Sequence, residues 1–310
     1  MDKEIEALLQ RVKEAKRAPF WQGSPQTARS TPTLMRLLFG EAPAVERIED
    51  LSFASADGVQ VPARLYIPSV SPKGLIVFFH GGGWVIGSVT DYHPFTAALA
   101  LRTGCAVLSV DYRLAPEHPF PKPVEDAVAA LAFAAGESVG WLGGKPDKLV
   151  AMGDSAGATL ATVASRLHNQ RGNAKTVDLQ VLLYPVTDAE FNSGSYREFE
   201  RGYLLTRRDM EWFWEQYCPD LAKRRHPDAS PMKAGNLAGS PPALLMSGGL
   251  DPLRDEGEAY GSKLKAAGID TEVIRCEGLV HGFLAMVNYA PSAGRALDRI
   301  VARIKEASAK

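Results

Sequence analysis

The pentapeptide Gly153-Asp154-Ser155-Ala156-Gly157 contains the residue types that a nucleophilic serine requires. It follows the apolar run 148–152 and precedes a stretch with helical spacing. A tight turn from strand to helix strains its central residue, so small residues are needed on both sides. Such a turn exposes the serine hydroxyl, and the first amides of the helix can bind an oxyanion. The pentapeptide alone is common by chance, but in this context it predicts Ser155 as a nucleophile.

Three consecutive glycines stand between His80 and Trp84, directly after the apolar run 75–79. Glycine leaves amide groups unshielded and accepts unusual φ and ψ angles. At the end of a strand, such a loop can donate hydrogen bonds to a developing oxyanion. The alternatives are a flexible turn and a phosphate-binding loop. The second is disfavoured because the stretch lacks both Gly-x-Gly-x-x-Gly and the Lys-Ser/Thr ending of a P-loop.

A serine hydroxyl is a poor nucleophile until a base accepts its proton, and that base needs a carboxylate to orient it. His281 lies in a loop just past the last predicted strand, which suits the base. Asp251 follows the strand predicted over 243–246 and suits the carboxylate. Taken singly, His281 could be a surface-loop histidine, and Asp251 could cap a helix ahead of Pro252. The chain order of serine, aspartate and histidine is nevertheless the one that α/β-hydrolases use.

Strands and helices that alternate along the chain must position these residues. The short apolar and β-branched runs, which we predict as strands, cover 59–67, 75–79, 106–110, 149–152, 179–183, 243–246 and 271–274. Helical stretches between them cover 124–135, 156–170 and 254–267. This alternation predicts an α/β fold, with a mostly parallel sheet covered by helices on both faces. The first strands, joined near Asp57-Gly58, favour an antiparallel hairpin at one edge.

Two segments lack this strand patterning. The N-terminal region opens with an amphipathic helix, and residues 188–225 contain a capping box at Thr206 and Asp209. The box precedes an apolar stripe with helical spacing, for which core packing is favoured over a lid. We predict a helical cap from residues 1–45 and 188–225, and a catalytic core from residues 46–187 and 226–310.

Composition excludes several classes of function. The 310 residues carry 35 Lys and Arg against 36 Asp and Glu, a formal net charge of −1. This balance argues against nucleic acid or an anionic membrane as a partner. The 3 cysteines are far apart, so neither a disulfide framework nor a zinc site is expected. The charged N-terminus is not a secretory signal, and we predict a cytoplasmic protein. An exported mature form that had lost its signal would have the same sequence features.

These motifs together resemble the hormone-sensitive-lipase-like family of carboxylesterases, in particular its compact microbial members. The stretch Asp111–Pro121 is especially specific, because ordinary α/β-hydrolases lack it. The matching residues are His80–Trp84, Asp111–Pro121, Gly153–Gly157, Tyr184-Pro185, Asp251–Glu256 and His281–Phe283. The resemblance implies an α/β-hydrolase fold with an eight-stranded, mostly parallel sheet, flanking helices and a small helical cap.

The family resemblance also implies a role for each residue. Ser155 would be the nucleophile, His281 the general base and acid, and Asp251 the residue that fixes the tautomer of His281. The amides of Gly82, Gly83 and Ala156 would form the oxyanion hole. His80 would orient the glycine loop. The implied reaction is ester hydrolysis through an acyl-enzyme, with a small-molecule ester as partner and with no metal or organic cofactor.

A short cap would enclose a small apolar pocket, and we expect acyl chains of roughly C4 to C8 to be preferred. The candidate pocket residues are Phe20, Trp21, Leu34, Trp84, Met210, Phe213 and Trp214.

Two alternative functions stay open. Some relatives keep the fold as small-molecule receptors after losing a triad residue, although all three are present here. An amidase, a lactonase or an acyltransferase would share the same triad. Family members occur as monomers and as dimers paired through the last sheet edge, and we favour the homodimer.

Overall fold

The computed structural model describes residues 1–15, 18–30, 38–144, 146–172 and 175–307, and one eight-stranded sheet lies within these ranges. The strands are β1 (Arg47–Ala54), β2 (Gln60–Ile67), β3 (Leu75–Phe79), β4 (Ala106–Val110), β5 (Leu149–Asp154), β6 (Leu179–Leu183), β7 (Ala243–Leu250) and β8 (Thr271–Val280). The α-helices of these ranges are α1 (Lys3–Glu14), α2 (Pro25–Ser30), α3 (Val89–Thr103), α4 (Lys122–Leu142), α5 (Ala156–Gln170), α6 (Gly194–Glu198), α7 (Arg207–Tyr217), α8 (Arg254–Ala266) and α9 (Pro291–Glu306).

The strands follow the order β1-β2-β4-β3-β5-β6-β7-β8 across the sheet. The β1–β2 and β2–β4 pairs are antiparallel, and every other pair is parallel. The predicted α/β fold and the edge hairpin are therefore confirmed. Parallel strands end at a common edge of the sheet, which brings the residues that follow β3, β5, β7 and β8 to one end of the molecule.

Helices cover both faces of the sheet, because successive side chains of a strand point to opposite sides. Leu75, Val77 and Phe79 of β3 lie in an apolar core with α4, α5 and α8. Ile76 and Phe78 point the other way, into a second core with α1, α3 and α9. The central strands are buried along their whole length, which explains why they appear in the sequence as continuous apolar runs.

The predicted cap segments contact each other and also the core. The capping box is confirmed, since the Thr206 hydroxyl accepts a hydrogen bond from the Asp209 amide and the Asp209 carboxylate accepts one from the Thr206 amide, both at 3.1 Å. It begins α7, whose Phe213 ring lies 5.4 Å from that of Phe20. The α1 side chain of Ile5, in contrast, is fully buried in the second core.

An ion-pair network ties the β1–β2 turn to the segment before α4. Arg113 donates to Asp126 at 2.6 Å and to Asp57 at 2.8 Å, and Ser55 donates to Asp126 at 2.5 Å. Asp126 is fully buried. We expect Arg113→Leu to lower the free energy of unfolding by about 3–5 kcal/mol, because it leaves a buried carboxylate without its cation. Urea unfolding followed by circular dichroism measures this change.

The control for this prediction is Arg47→Leu, which breaks an ion pair with Glu49 whose side chains are 48% and 38% exposed. An exposed pair contributes about 0–1 kcal/mol, so the urea midpoint of this variant should stay close to that of the wild type. Equal decreases in the free energy of unfolding of the two variants would show that the Arg113 network stabilises the fold no more than an exposed ion pair does.

Candidate active site

Ser155 occupies the turn between β5 and α5, with φ 53° and ψ −121°. The turn leaves no room for larger neighbours. A Cβ atom on Gly157 would lie 2.0 Å from the Phe79 carbonyl oxygen, and one on Gly153 would lie 2.3 Å from the Gly157 carbonyl oxygen. The backbone therefore requires both flanking glycines and holds Ser155 in a strained conformation.

The structure brings the three predicted triad residues together in one hydrogen-bonded chain. His281 Nε2 lies 3.0 Å from Ser155 Oγ, and His281 Nδ1 lies 2.8 Å from Asp251 Oδ2. The other Asp251 oxygen accepts the Leu253 amide at 2.9 Å, and the carboxylate is fully buried. A proton on Nδ1 that donates to Asp251 leaves Nε2 free to accept the hydroxyl proton of Ser155.

The glycine loop after β3 presents free amides to this end of the sheet. Among the described residues, the amides of Gly82, Gly83 and Ala156 have no hydrogen-bond acceptor. Gly82 and Gly83 have φ values of +116° and +60°, which favour glycine. Ala156 begins α5, where helix amides lack intrahelical partners. The three amides can therefore bind an oxyanion.

Residues 111–121 hold this loop from behind. The Tyr112 hydroxyl donates to the His80 carbonyl at 2.8 Å, and the two rings stack with centroids 4.4 Å apart. The Trp84 carbonyl accepts the Ala115 amide at 2.9 Å. Burial lowers the pKa of His80, which favours a neutral imidazole. His80 Nδ1 lies 2.7 Å from the Gly81 carbonyl, a contact within the loop itself.

The candidate pocket residues separate into two groups. Trp84 and Trp214 are fully buried and pack with Tyr217, whose ring stacks 3.9 Å from that of Trp84. Met210 is also buried. These side chains all belong to the first apolar core. Tyr217 belongs to the same apolar stripe in the sequence, but helical spacing alone does not show that it would stack on Trp84.

The remaining candidates lie closer to the glycines or to solvent. The Phe213 ring packs against Gly83, where an added Cβ atom would lie 2.2 Å from it. Phe20 is half-buried beside Phe213, and Trp21 is 39% exposed. Leu34 lies outside the described residues. Phe213 is thus the candidate whose ring packs directly against the glycine loop.

Sequence reasoning missed two polar residues beside the triad. Asp154 is buried behind the glycine loop, and burial raises its pKa to about 6. Tyr184 follows β6, and its ring lies edge-on to the His281 ring at 4.8 Å. The sequence could have indicated both residues, because Asp154 is part of the serine pentapeptide and Tyr184 is part of a motif that supports the family resemblance.

Sequence comparisons identify known proteins that are similar to this chain. Residues 76–285 match a family model described as the alpha/beta hydrolase fold. The carboxylic ester hydrolase LipN of Mycobacterium tuberculosis is 39% identical over 83% of this chain and 70% of its own length. The ethyl acetate hydrolase of Pseudomonas putida is 36% identical over 87% of this chain and 86% of its own.

A solved structure extends the likeness to three dimensions. The hyperthermophilic esterase of Pyrobaculum calidifontis superposes with a TM-score of 0.89 at 33% identity, covering 98% of each chain.

Among the described residues, no helix combines the length and the apolar character needed to cross a membrane.

Proposed function

This chain belongs to the hormone-sensitive-lipase-like carboxylesterases of the α/β-hydrolase fold, and on that premise we propose that it cleaves short- to medium-chain acyl esters at Ser155. The observation that carries the proposal is the hydrogen-bonded chain from Ser155 Oγ through His281 to Asp251, at 3.0 and 2.8 Å. It supplies a nucleophile, a base and an orienting carboxylate in contact with one another.

In the first half of the proposed reaction, Ser155 Oγ attacks the ester carbonyl carbon while His281 Nε2 takes the hydroxyl proton. The carbonyl oxygen becomes an oxyanion and accepts hydrogen bonds from the amides of Gly82, Gly83 and Ala156. The C–O bond to the alcohol then breaks, and His281 returns its proton to the leaving alcohol. An acyl ester on Ser155 remains.

In the second half, a water molecule replaces the alcohol. His281 takes a proton from the water, whose oxygen attacks the acyl carbon and forms a second oxyanion at the same amides. The bond from the acyl group to Ser155 Oγ breaks, the serine recovers its proton from His281, and the carboxylic acid leaves. Asp251 stays ionised and stabilises the imidazolium in both halves. No step of this reaction requires a cofactor.

The proposal is tested by p-nitrophenyl butyrate hydrolysis together with labelling by a fluorophosphonate. We expect turnover, a single label per chain, and peptide mass spectrometry that places the label on Ser155. Tight binding of the ester without turnover or labelling would instead support a small-molecule receptor. Comparing kcat/KM for matched esters, anilides and lactones then separates an esterase from an amidase or a lactonase.

Phe213 is our candidate for the residue that limits acyl-chain length, since its ring packs against the glycine loop at Gly83. We expect Phe213→Ala to raise kcat/KM for p-nitrophenyl decanoate relative to the butyrate about fifteenfold. Room for two more buried methylenes contributes about 1.6 kcal/mol, which corresponds to this factor. Steady-state kinetics across a series of chain lengths measures the ratio.

Glu215→Ala is the control for this prediction, because Glu215 lies on the same helix with its side chain 47% exposed. Its chain-length profile should match that of the wild type. A Phe213→Ala profile that also stays unchanged would show that the acyl group binds away from this ring.

The cap, the assembly and the location also belong to the proposal. The contact between Phe20 and Phe213 supports a cap that combines residues 1–45 and 188–225, with α1 anchored in the core through Ile5. Within the ranges that the structure describes, β8 is the last strand of the sheet and no strand pairs with its outer edge, which supports a homodimer formed through that edge. A cytoplasmic location is the last part of this proposal.

A further inference from the structure

We propose that Asp154 is a positioning residue for the oxyanion hole: its carboxylate holds the Gly81 amide and thereby sets the direction of the Gly82 and Gly83 amides. The proposal rests on the function assigned above, because it concerns the loop that would bind the oxyanion. It gives the residue next to the nucleophile a role that the triad mechanism does not use.

The contact between Asp154 and the loop is short and enclosed. Asp154 ends β5, is 1% exposed, and accepts the Gly81 amide on Oδ1 at 2.8 Å. An added Cβ atom on Gly81 would lie 2.5 Å from Asp154 Oδ2, so the peptide lies directly against the carboxylate. The Gly81 amide thus has a protein acceptor, whereas the next two amides of the loop have none within the described part of the chain and are free for a ligand.

The second carboxylate oxygen links Asp154 to two further elements. Oδ2 lies 3.1 Å from the Tyr92 hydroxyl of α3 and 3.4 Å from the Tyr184 hydroxyl after β6. The Tyr92 oxygen is also 3.2 Å from the Gly81 nitrogen. Tyr184 in turn packs against His281. One buried side chain therefore connects the loop, the nucleophile strand and the tyrosine beside the base.

The surroundings of Asp154 suit an acceptor rather than an apolar side chain. Its neighbours within hydrogen-bond distance, the Gly81 amide and the Tyr92 and Tyr184 hydroxyls, can all donate to it. Removing the carboxylate would leave the Gly81 amide without its strongest acceptor in a buried site, which destabilises this loop conformation. A peptide that can rotate there would turn the following amides away from the oxyanion.

The test compares Asp154→Ala with Asp154→Asn by kinetics on p-nitrophenyl butyrate, with active sites counted by fluorophosphonate titration. We expect the alanine variant to lose about 10²-fold in kcat per titrated site, with KM changed less than about threefold, because the oxyanion exists only along the reaction path. Binding of a trifluoromethyl ketone should weaken in parallel. The asparagine variant should recover most of kcat, since its amide oxygen can accept the Gly81 amide while its NH₂ group donates to the tyrosine oxygens.

Asp178→Ala is the matched structural control. Asp178 is also buried and accepts a backbone amide at 2.8 Å, that of Leu149, at the opposite end of β5. We expect this variant to unfold at lower temperature and to keep its kcat per titrated site. An Asp154→Ala variant that behaves in the same way would overturn the proposal, as would an asparagine variant as slow as alanine.

Hydrogen exchange of the peptide spanning residues 78–86 gives a readout that needs no catalysis. Exchange should quicken in Asp154→Ala and stay near the wild-type rate in Asp154→Asn and Asp178→Ala. If the wild type proves inactive on esters, the proposed function fails while this readout still tests the positioning role. An unchanged exchange rate in Asp154→Ala would contradict that role whatever the activity.

Discussion

Ser155→Ala is expected to hydrolyse p-nitrophenyl butyrate on the order of 10⁶-fold more slowly than the wild type, because serine-hydrolase triads act as a unit. The methyl group cannot form the acyl-enzyme, so the residual rate comes from the oxyanion donors and substrate binding alone. Pre-steady-state kinetics with substrate in excess should also lose the burst of p-nitrophenol that accompanies acylation.

Ser165→Ala provides the control on the same helix. Ser165 is fully buried in α5 and its hydroxyl donates to the Ala161 carbonyl, far along the helix from the turn. This variant should keep wild-type kcat at the cost of some stability. If Ser155→Ala instead folded normally and retained most of the activity, a different nucleophile would have to be sought.

Sequence reasoning predicted that these three residues meet because each of them follows a strand of the parallel part of the sheet. Ser155, Asp251 and His281 come directly after β5, β7 and β8, and parallel strands must end at one edge. Gly153 and Gly157 added a second signal, since the turn at Ser155 leaves no space for a Cβ atom at either position. Order along the chain and glycine placement were therefore sufficient to predict which residues meet.

The ends of the outer strands were harder to predict. Apolar runs end at Met246 and Ile274, yet β7 continues to Leu250 and β8 to Val280. Ser247 and Gly248 extend β7 because they pair with Arg275 and Cys276. Backbone pairing between neighbours does not require apolar side chains, so a pattern based on hydrophobicity ends too early at such strands.

The partners of buried polar groups could not be predicted from the sequence. Asp154 meets Gly81 and Tyr92 across more than sixty positions of chain, and no periodicity encodes a contact between a strand end, a loop and a helix. The stacking of Trp84 on Tyr217 could not be predicted from the sequence either. Helical spacing shows that side chains share a face, but the element packed on that face is a property of the tertiary fold.

Gly82→Ala is expected to lower kcat about 10³-fold or more, because it disturbs the loop that we propose to supply two of the three oxyanion donors. The new Cβ atom would lie 2.1 Å from the Ile86 carbonyl oxygen, at a residue whose φ is +116°. A backbone atom cannot rotate away as a side chain can, so the loop itself must move. Steady-state kinetics per titrated active site measures the loss.

Gly83→Ala creates a clash with a side chain instead of with the backbone. Comparing it with Gly82→Ala therefore shows which kind of clash lowers kcat. Its Cβ atom would lie 2.2 Å from the Phe213 ring, at a φ of +60° that an alanine can adopt at a cost of roughly 1–2 kcal/mol. Adding Phe213→Ala should therefore rescue Gly83→Ala, whereas it should not rescue Gly82→Ala. Gly58→Ala, at φ +80° and with no described atom within 4 Å of the added Cβ, controls for the strain of a positive φ alone and should keep wild-type kcat. If Gly82→Ala kept wild-type kcat as well, the donors that stabilise the oxyanion would lie outside this loop.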